Sequence, residues 1–322
     1  MFSQNKPQDM DPAIYKYLKQ FGNVKANVSL AKFTTFKVGG PASLFIEVKE
    51  REKLIELLGF LTGEGISYFI LGGGSNVLIS DNGFEGVVIK NSTSVLKNKN
   101  EIIEAESGVS FGVLSLFALQ NNFSGLEWSA GLPGTVGGAI RGNAGAAGGE
   151  TGKVLSKIEA WIDGELVELN PAECGFGYRD SIFKHNGGIV LKGWFKLVEG
   201  ESKKSLLKMQ EILNRRAGYY PPYPSAGSFF KNVLVKDWPK TAGQLPPEFV
   251  SSGKVPAGWI NEQAGLKGLK IGGAMVSEQH GNFMINIDKA SSEDVLKLVD
   301  EVKTRVYNKF GVNLEEEVQI IS

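Results

Sequence analysis

The sequence predicts an α+β protein of two domains, and three observations carry that expectation. Its 322 residues amount to about twice the roughly 150 of a common domain. An early stretch switches between strand and helix periodicity in the order of a β-α-β unit. A strand-rich middle then ends at a helix with a polar outer face, beyond which come loops, one long helix and a last strand. Hydrophobic residues at 42% and charged residues at 22% suit a chain that buries a core and exclude disordered, collagen-like and coiled-coil classes.

Asp11 as N-cap, Pro12 at the first helical position, Ile14, Tyr17, Leu18 and Phe21 on one face and Gly22 as the stop predict a helix over 11–22, within an N-terminal extension of residues 1–27. The strand SLFIEV (43–48), a helix with the stripe Leu54, Leu57, Leu58 and Leu61, and the apolar strand ISYFIL (66–71) form the β-α-β unit. Val113, Leu116, Phe117 and Gln120 predict a helix over 111–122, after which KIEAWID, ELVEL and GIVLKGWFKLV read as strands. A helix over 203–216, with Leu206, Met209 and Leu213 inside, separates a first domain, 28–202, from a second, 203–322. In the second, 217–258 reads as loops carrying GSFFKN, with 233–257 a long surface excursion. Ser291 and Asp294 make a capping-box pattern before the stripe Val295, Leu298, Val299, Val302 and Val306; Gly311 ends that helix and VNLEEEVQI (312–320) reads as a strand.

Lys and Arg number 35, as do Asp and Glu, so no net field draws a polyanion and no basic patch replaces it; nucleic acid is not an expected partner. One cysteine, Cys174, excludes an internal disulfide and suits a reducing compartment. His185 and His280 lie far apart with no Cys/His/Asp cluster, which argues against a metal site. The first residues lack a basic and apolar leader pattern, and no apolar run reaches ~18 residues, so the expected location is cytoplasmic, with no membrane partner.

Glycine is the anomaly: 41 residues, about twice the usual share of ~7%, much of it in two apolar segments. Gly72, Gly73 and Gly74 directly follow an apolar strand, where N–H groups can line a concavity for phosphate oxygens, with Ser75 and Asn76 as further donors; the same composition also serves a plain turn. The Lys-Ser/Thr of a P-loop is missing, so ATP hydrolysis is not expected. The second cluster holds Gly131, Pro133, Gly134, Gly137, Gly138 and Ala139, then Asn143 and Gly145. Its spacing imitates a Rossmann fingerprint, but no strand leads directly in and no helix of about ten residues follows. Eight glycines in 131–149 suggest main chain laid against an extended ligand, because side chains would hold it away. Two such clusters suggest a dinucleotide spanning both.

Arg179, flanked by Tyr178 and Asp180, is able to offer a bidentate fork to a carboxylate and is equally a surface ion pair. Ser228 sits on a small-residue turn before Phe229 and Phe230; without a neighbouring histidine or a G-x-S-x-G elbow a hydrolase nucleophile is disfavoured, and an ordinary turn serine is the plain alternative. Glu315 and Glu317 share the polar face of the last predicted strand, either held for proton chemistry or simply solvated.

In this order TTFKVGGPA (34–42), GGGSN (72–76), GLPGTVGGAIRGNAGAAGGE (131–150), YRDSIFK (178–184), AGSFFKN (226–232), AGWI (257–260) with GLKG (265–268), and LEEEV (314–318) resemble the UDP-N-acetylenolpyruvoylglucosamine reductases (MurB) over about residues 28–320. GTVGGA followed by NAGA is similar to the type II branch, which lacks an extra substrate-covering loop. The resemblance implies a PCMH-type FAD-binding domain of two α/β subdomains, followed by a C-terminal α/β substrate-binding domain. It implies a cytoplasmic monomer of peptidoglycan precursor synthesis with non-covalent FAD and NADPH as hydride donor. NADPH reduces FAD, and reduced flavin then passes hydride to the enolpyruvyl group of UDP-GlcNAc-enolpyruvate, giving UDP-N-acetylmuramate. The family's motifs assign Arg179 and Glu317 to stabilising an enolate-like intermediate and Ser228 to proton donation. They place the flavin on the two glycine clusters and the substrate on Tyr178, Lys231 and Asn232, with Arg216 expected to bind substrate in place of a family lysine.

Three positions depart from the family pattern. Gly218 stands where a diphosphate-binding lysine is common, with Arg215, Arg216 or Lys231 as substitutes; LEEEVQ replaces LEPEVR, so Glu317 is matched through Val318; Ala147 stands where an aromatic is frequent. Two other readings are another PCMH-fold FAD-linked oxidoreductase acting on a carbohydrate or hydroxy acid, and a flavin-binding module without turnover. Covalent flavin attachment usually uses histidine, and neither His185 nor His280 lies in a glycine cluster.

Overall fold

The computed structural model describes residues 12–322; the expected N-cap Asp11 lies outside the described residues. Two compact units form. Among the described residues the first holds Pro12–Val28, Ala42–Gly73 and Glu85–Gly218, and the second holds Ser29–Pro41, Gly74–Phe84 and Tyr219–Ser322. Neither unit is a contiguous span, unlike the expected domains 28–202 and 203–322. The second unit takes in two early excursions because Phe36, Val38 and Leu78 belong to the same buried cluster as Val295, Leu298 and Val302.

The first unit begins with α1 (Pro12–Leu18), shorter than the expected 11–22. Strands β1 (Asn23–Ser29), β2 (Pro41–Val48), β3 (Tyr68–Leu71) and β5 (Phe84–Asn91) make a sheet in the order β1-β2-β5-β3. Helix α2 (Arg51–Gly63) lays Leu54, Leu57, Leu58 and Leu61 into its core, all fully buried. At about 1.5–3 kcal/mol per buried aliphatic side chain, this stripe is a main source of local stability. A second, antiparallel sheet follows the order Glu165–Leu169, Leu155–Ile162, Ile189–Lys196, β7 (Ile102–Glu106), β6 (Leu96–Lys99). Arg51 of α2 closes a fork on Glu159 of that sheet, with Nε to Oε1 at 2.6 Å and Nη2 to Oε2 at 2.5 Å.

Two helices turn a different face inward than their periodicity suggests. In α3 (Phe111–Gln120) the buried residues are Phe111, Leu114, Ser115 and Ala118, while Val113 and Leu116 are about half exposed. Apolar side chains surround this helix, so spacing alone does not select a face. In α5 (Ser202–Tyr219), Met209 is buried as expected, but its companions are Ser205 and Ile212, and Leu206 and Leu213 are exposed. This helix belongs to the first unit up to Gly218.

The second unit is built on a four-stranded antiparallel sheet in the order Ser225–Ser228, Phe283–Asn286, Ala274–Val276, Lys270–Ile271. The long C-terminal helix (Ser292–Phe310) has the expected capping box of Ser291 and Asp294 and ends on left-handed Gly311. Asp81 reaches the same helix start, its Oδ2 accepting from the Ser292 N–H and hydroxyl, both at 2.8 Å. Residues 233–257 are not only a surface excursion: Val233–Leu234 pairs with Lys254–Val255, Pro247–Ser252 is helical, and Val255 is fully buried. The last strand is shorter than VNLEEEVQI, comprising only Gln319–Ile321, parallel to β4 (Val77–Ile79). Val312, Leu314 and Val318 are buried as expected, whereas Ile320 is 44% exposed. Residues 315–317 give their main-chain groups to Phe229 and Lys231 instead of extending the strand.

His280 lies against Tyr219, Tyr220 and Phe283, with ring centroids 4.7, 5.9 and 4.6 Å away. Its Nδ1 accepts the N–H of Asn282 at 3.1 Å. Burial, and then the positive field of Lys267, lower its pKa from 6.5 to about 4. The unfolded chain therefore takes up this proton first as pH falls, and the folded form loses its advantage progressively between pH 6.5 and about 4. Urea unfolding across that window should show a decline on the order of 2 kcal/mol that His280→Gln flattens. An unchanged decline in the variant would assign it to other groups.

Candidate functional site

The first glycine cluster leaves β3 at Leu71, with Gly72 and Gly73 in the first unit and Gly74, Ser75 and Asn76 in the second. Within the first unit the two clusters touch main chain to main chain. A Cβ on Gly72 would stand 2.6 Å from Thr135 Oγ1, and one on Gly73 would stand 2.7 Å from Gly134 Cα. Thr135 caps α4 (Val136–Arg141), a helix of six residues where sequence reasoning expected no long one. Gly137 donates to the Ser107 carbonyl at 2.9 Å, and Ala139 is buried. Gly131, at φ 73°, faces Leu213 and Arg216 of α5, which brings Arg216 to the second cluster.

Sequence reasoning missed Lys90. Its ammonium donates to the Gly72 carbonyl, from the end of β5 beside Leu71. In a trans peptide the C=O and the following N–H point in opposite directions. Holding Gly72 O therefore turns the Gly73 N–H away from the lysine; Gly73 is exposed, and its N–H meets no acceptor among the described residues. Burial lowers the Lys90 pKa, with Glu47 pulling it back up. The signal in the sequence was a lysine closing the apolar run VVIK. A cradle without side chains, a free N–H and a nearby cation fit a dinucleotide diphosphate.

Asn143 and Gly145 connect this region to the YRDS loop. Asn143 is buried and engaged internally, its Nδ2 donating to Gly177 O at 2.8 Å and its Oδ1 accepting from Gly152 N at 2.9 Å. Arg179 Nη2 donates to Gly145 O at 2.7 Å, and its Cζ lies 5.5 Å from the Tyr178 ring centroid. The Arg179 backbone is left-handed, φ 56°, a conformation that costs a side-chain-bearing residue energy and persists where surroundings enforce it. Here the enforcing contacts are the Gly177–Asp180 bridge and Lys184 Nζ on Arg179 O at 2.6 Å. Asp180 receives His185 Nε2 at 2.8 Å; against the upward push of burial, that contact lowers its carboxyl.

In the second unit, Ser228 ends a bulged strand. Ser225 pairs with Ile285 and Ser228 with Phe283, one residue out of step, and Gly227 inside the bulge has φ 81°. The half-buried Ser228 hydroxyl makes no hydrogen bond among the described residues. Glu317 is close by in the ladder: its N–H donates to Phe229 O at 2.8 Å, and its carbonyl accepts from Asn76 Nδ2 at 3.1 Å. Asn76 thus braces the main chain at Glu317. Gly74 has φ 63°, and a Cβ there would meet Phe33 O at 2.0 Å. Lys231 pairs with Glu315, and Asn232 Oδ1 accepts from Ala257 N at 3.2 Å, at the start of the helix Ala257–Gln263. Gly218 meets no heavy atom within 4 Å of its Cβ position.

Known proteins are similar to this chain in sequence and fold. Residues 42–170 match the model of an FAD binding domain, and residues 220–321 match that of the UDP-N-acetylenolpyruvoylglucosamine reductase C-terminal domain. A UDP-N-acetylenolpyruvoylglucosamine reductase of Carboxydothermus hydrogenoformans is 41% identical over 92% of this chain and 94% of its own. That of Caldanaerobacter subterraneus subsp. tengcongensis is 39% identical over 95% of this chain and 96% of its own. The crystal structure of the reductase (MurB) from Thermus caldophilus superposes with a TM-score of 0.76 at 34% identity, covering 94% of this chain and all of that one. With an FAD-binding domain followed by the reductase C-terminal domain and relatives similar over nearly their whole length, the chain belongs to the UDP-N-acetylenolpyruvoylglucosamine reductase family.

Proposed function

We propose that this chain reduces UDP-GlcNAc-enolpyruvate to UDP-N-acetylmuramate with electrons from NADPH. The observation that carries the reading is the contact of Gly73 with Gly134, two glycine segments joined into one surface inside the FAD-binding match. FAD, when bound, takes hydride from NADPH and delivers it to the substrate. The chain's own part is to hold that cofactor and manage charge and proton on the substrate. Gly72, Gly73, Gly131, Pro133, Gly134, Gly137, Gly138, Ala139 and Gly145 supply the main-chain surface, with Gly74, Ser75 and Asn76 continuing the first segment.

Reduction of the enolpyruvyl double bond leaves negative charge on the carbon bearing the carboxylate. Arg179 is assigned to stabilise it, its guanidinium held in advance by Gly145 O; Glu317, in its protonated form, is assigned the same role. Ser228, whose hydroxyl makes no hydrogen bond among the described residues, is assigned to protonate that carbon. A serine is a weak acid, and the basicity of the carbanion makes it sufficient. Tyr178, Arg216, Lys231 and Asn232 are assigned to the substrate. The same reading makes the protein a cytoplasmic monomer; the lone Cys174, its thiol pushed up to about 11 by burial and then by Glu173, suits a reducing compartment.

NADPH added anaerobically to the FAD-loaded protein without substrate should bleach the flavin absorbance, and Ser228→Ala should bleach at a near wild-type rate while substrate reduction slows by roughly 100-fold or more. No bleaching refutes the reductase; equal loss of both half-reactions removes Ser228 from the proton step. Arg179→Lys should lower kcat at least about tenfold, because an ammonium does not reproduce the planar fork, and normal turnover would exclude the arginine. Gly73→Ala should weaken FAD binding about tenfold or more, since the added methyl must displace main chain; an apoprotein titration within twofold of wild type would show that the contact does not shape the cofactor surface.

A further inference from the structure

Among the described residues the Ser228 hydroxyl makes no hydrogen bond, so its position follows from its main chain. That main chain is bulged on its N-terminal side, and a bulge aims a side chain only as well as the flanking ladder holds it. On the C-terminal side, one flank of the segment is held by a single residue. Phe229 N donates to the Asn282 carbonyl at 2.8 Å, Phe230 N donates to Asn282 Oδ1 at 3.0 Å, and Asn282 Nδ2 donates to Phe230 O at 2.8 Å. The partner strand begins only at Phe283, opposite Ser228. The carboxamide of Asn282 therefore stands in for a missing peptide group, offering a donor and an acceptor to the same residue and carrying the ladder past Ser228.

Asn282 is 2% exposed, and its own N–H is taken up by His280 Nδ1 at 3.1 Å. Across the segment, Glu317 N donates to Phe229 O and Lys231 N to Glu315 O, both at 2.8 Å. Residues 229–231 are thus clamped between Asn282 and the stretch that carries Glu317. We infer that Asn282 is a positioning residue for the reductive chemistry, setting the place of the Ser228 hydroxyl and its spacing from Glu317 through the Phe229–Phe230 main chain. The inference rests on the assignment of Ser228 as proton donor. Neither polar periodicity nor a motif marks Asn282 in the sequence, because its partners lie more than fifty residues away.

The test uses FAD-loaded Asn282→Asp, which keeps shape but loses the donor to Phe230 O, and Asn282→Ser, neutral and smaller, should the buried carboxylate prevent folding. Bleaching by NADPH should stay within about twofold of wild type and KM for UDP-GlcNAc-enolpyruvate within about threefold, while kcat falls roughly 10- to 100-fold. The solvent deuterium isotope effect on kcat should rise as proton delivery becomes limiting. In a Ser228→Ala background the same substitution should cost less than about threefold, because the hydroxyl it serves is already gone. Equal costs in both backgrounds, or an unchanged isotope effect, would make Asn282 a merely structural residue and overturn the inference. If Ser228→Ala alone reduced substrate at the wild-type rate, the proton-donor assignment would fail, and the inference with it.

Discussion

A methyl group on Gly73 would sit 2.7 Å from the Cα of Gly134, nearer than packed carbon atoms tolerate, and much of the first unit is arranged around that approach. β3 and β5 run parallel and bring Leu71 beside Lys90, so the lysine reaches the carbonyl that leads into the turn. Thr135, whose hydroxyl faces Gly72, also starts α4. Strand end, turn and helix start therefore converge where main chain is bare, and a flat, charged cofactor suits such a surface better than a small apolar ligand does.

The second unit solves a different problem, placing short polar side chains with little freedom. Ser228, Phe229, Phe230 and Lys231 form the middle layer of a ladder whose outer members are the 282–283 region and residues 315–317. Phe229 and Phe230 are buried, so the polar residues flanking them inherit the rigidity of the core. A hydroxyl that makes no hydrogen bond among the described residues can still be held precisely under these conditions. The same logic explains why Glu315 is exposed and paired with Lys231 while Glu317 is engaged through its main chain on both sides.

Local signals were legible in the sequence, and those that depend on distant partners were not. The stripe of α2, the capping box of Ser291 and Asp294, the glycine stop at Gly311 and both glycine clusters obey short-range rules, and the structure forms each of them. The apolar spacing at Val113 and Leu116 marks α3 without marking its buried face, and the expected inward Leu206 and Leu213 of α5 are exposed, because several faces carry apolar residues and only tertiary neighbours choose among them. The terminal strand was drawn too long since alternation at Val312, Leu314 and Val318 reports burial, whichever partner the main chain takes. Lys90 and Asn282 each act by holding another residue's peptide group; Asn282 carries no mark in its own surroundings along the chain, and Lys90 only its place at the end of the run VVIK. The discontinuous second unit was invisible for the same cause, as Phe36 and Leu78 look like any apolar residues until the core they join is known.

β4, with Val77, Leu78 and Ile79 all buried, finds its parallel partner only in Gln319–Ile321, more than two hundred residues later in the chain. During synthesis on the ribosome that strand emerges long before its partner can cover its edge, and the loop to be closed is a long one. Closing the second unit thus depends on a contact distant in sequence, which forms more slowly than the local pairing of neighbouring strands.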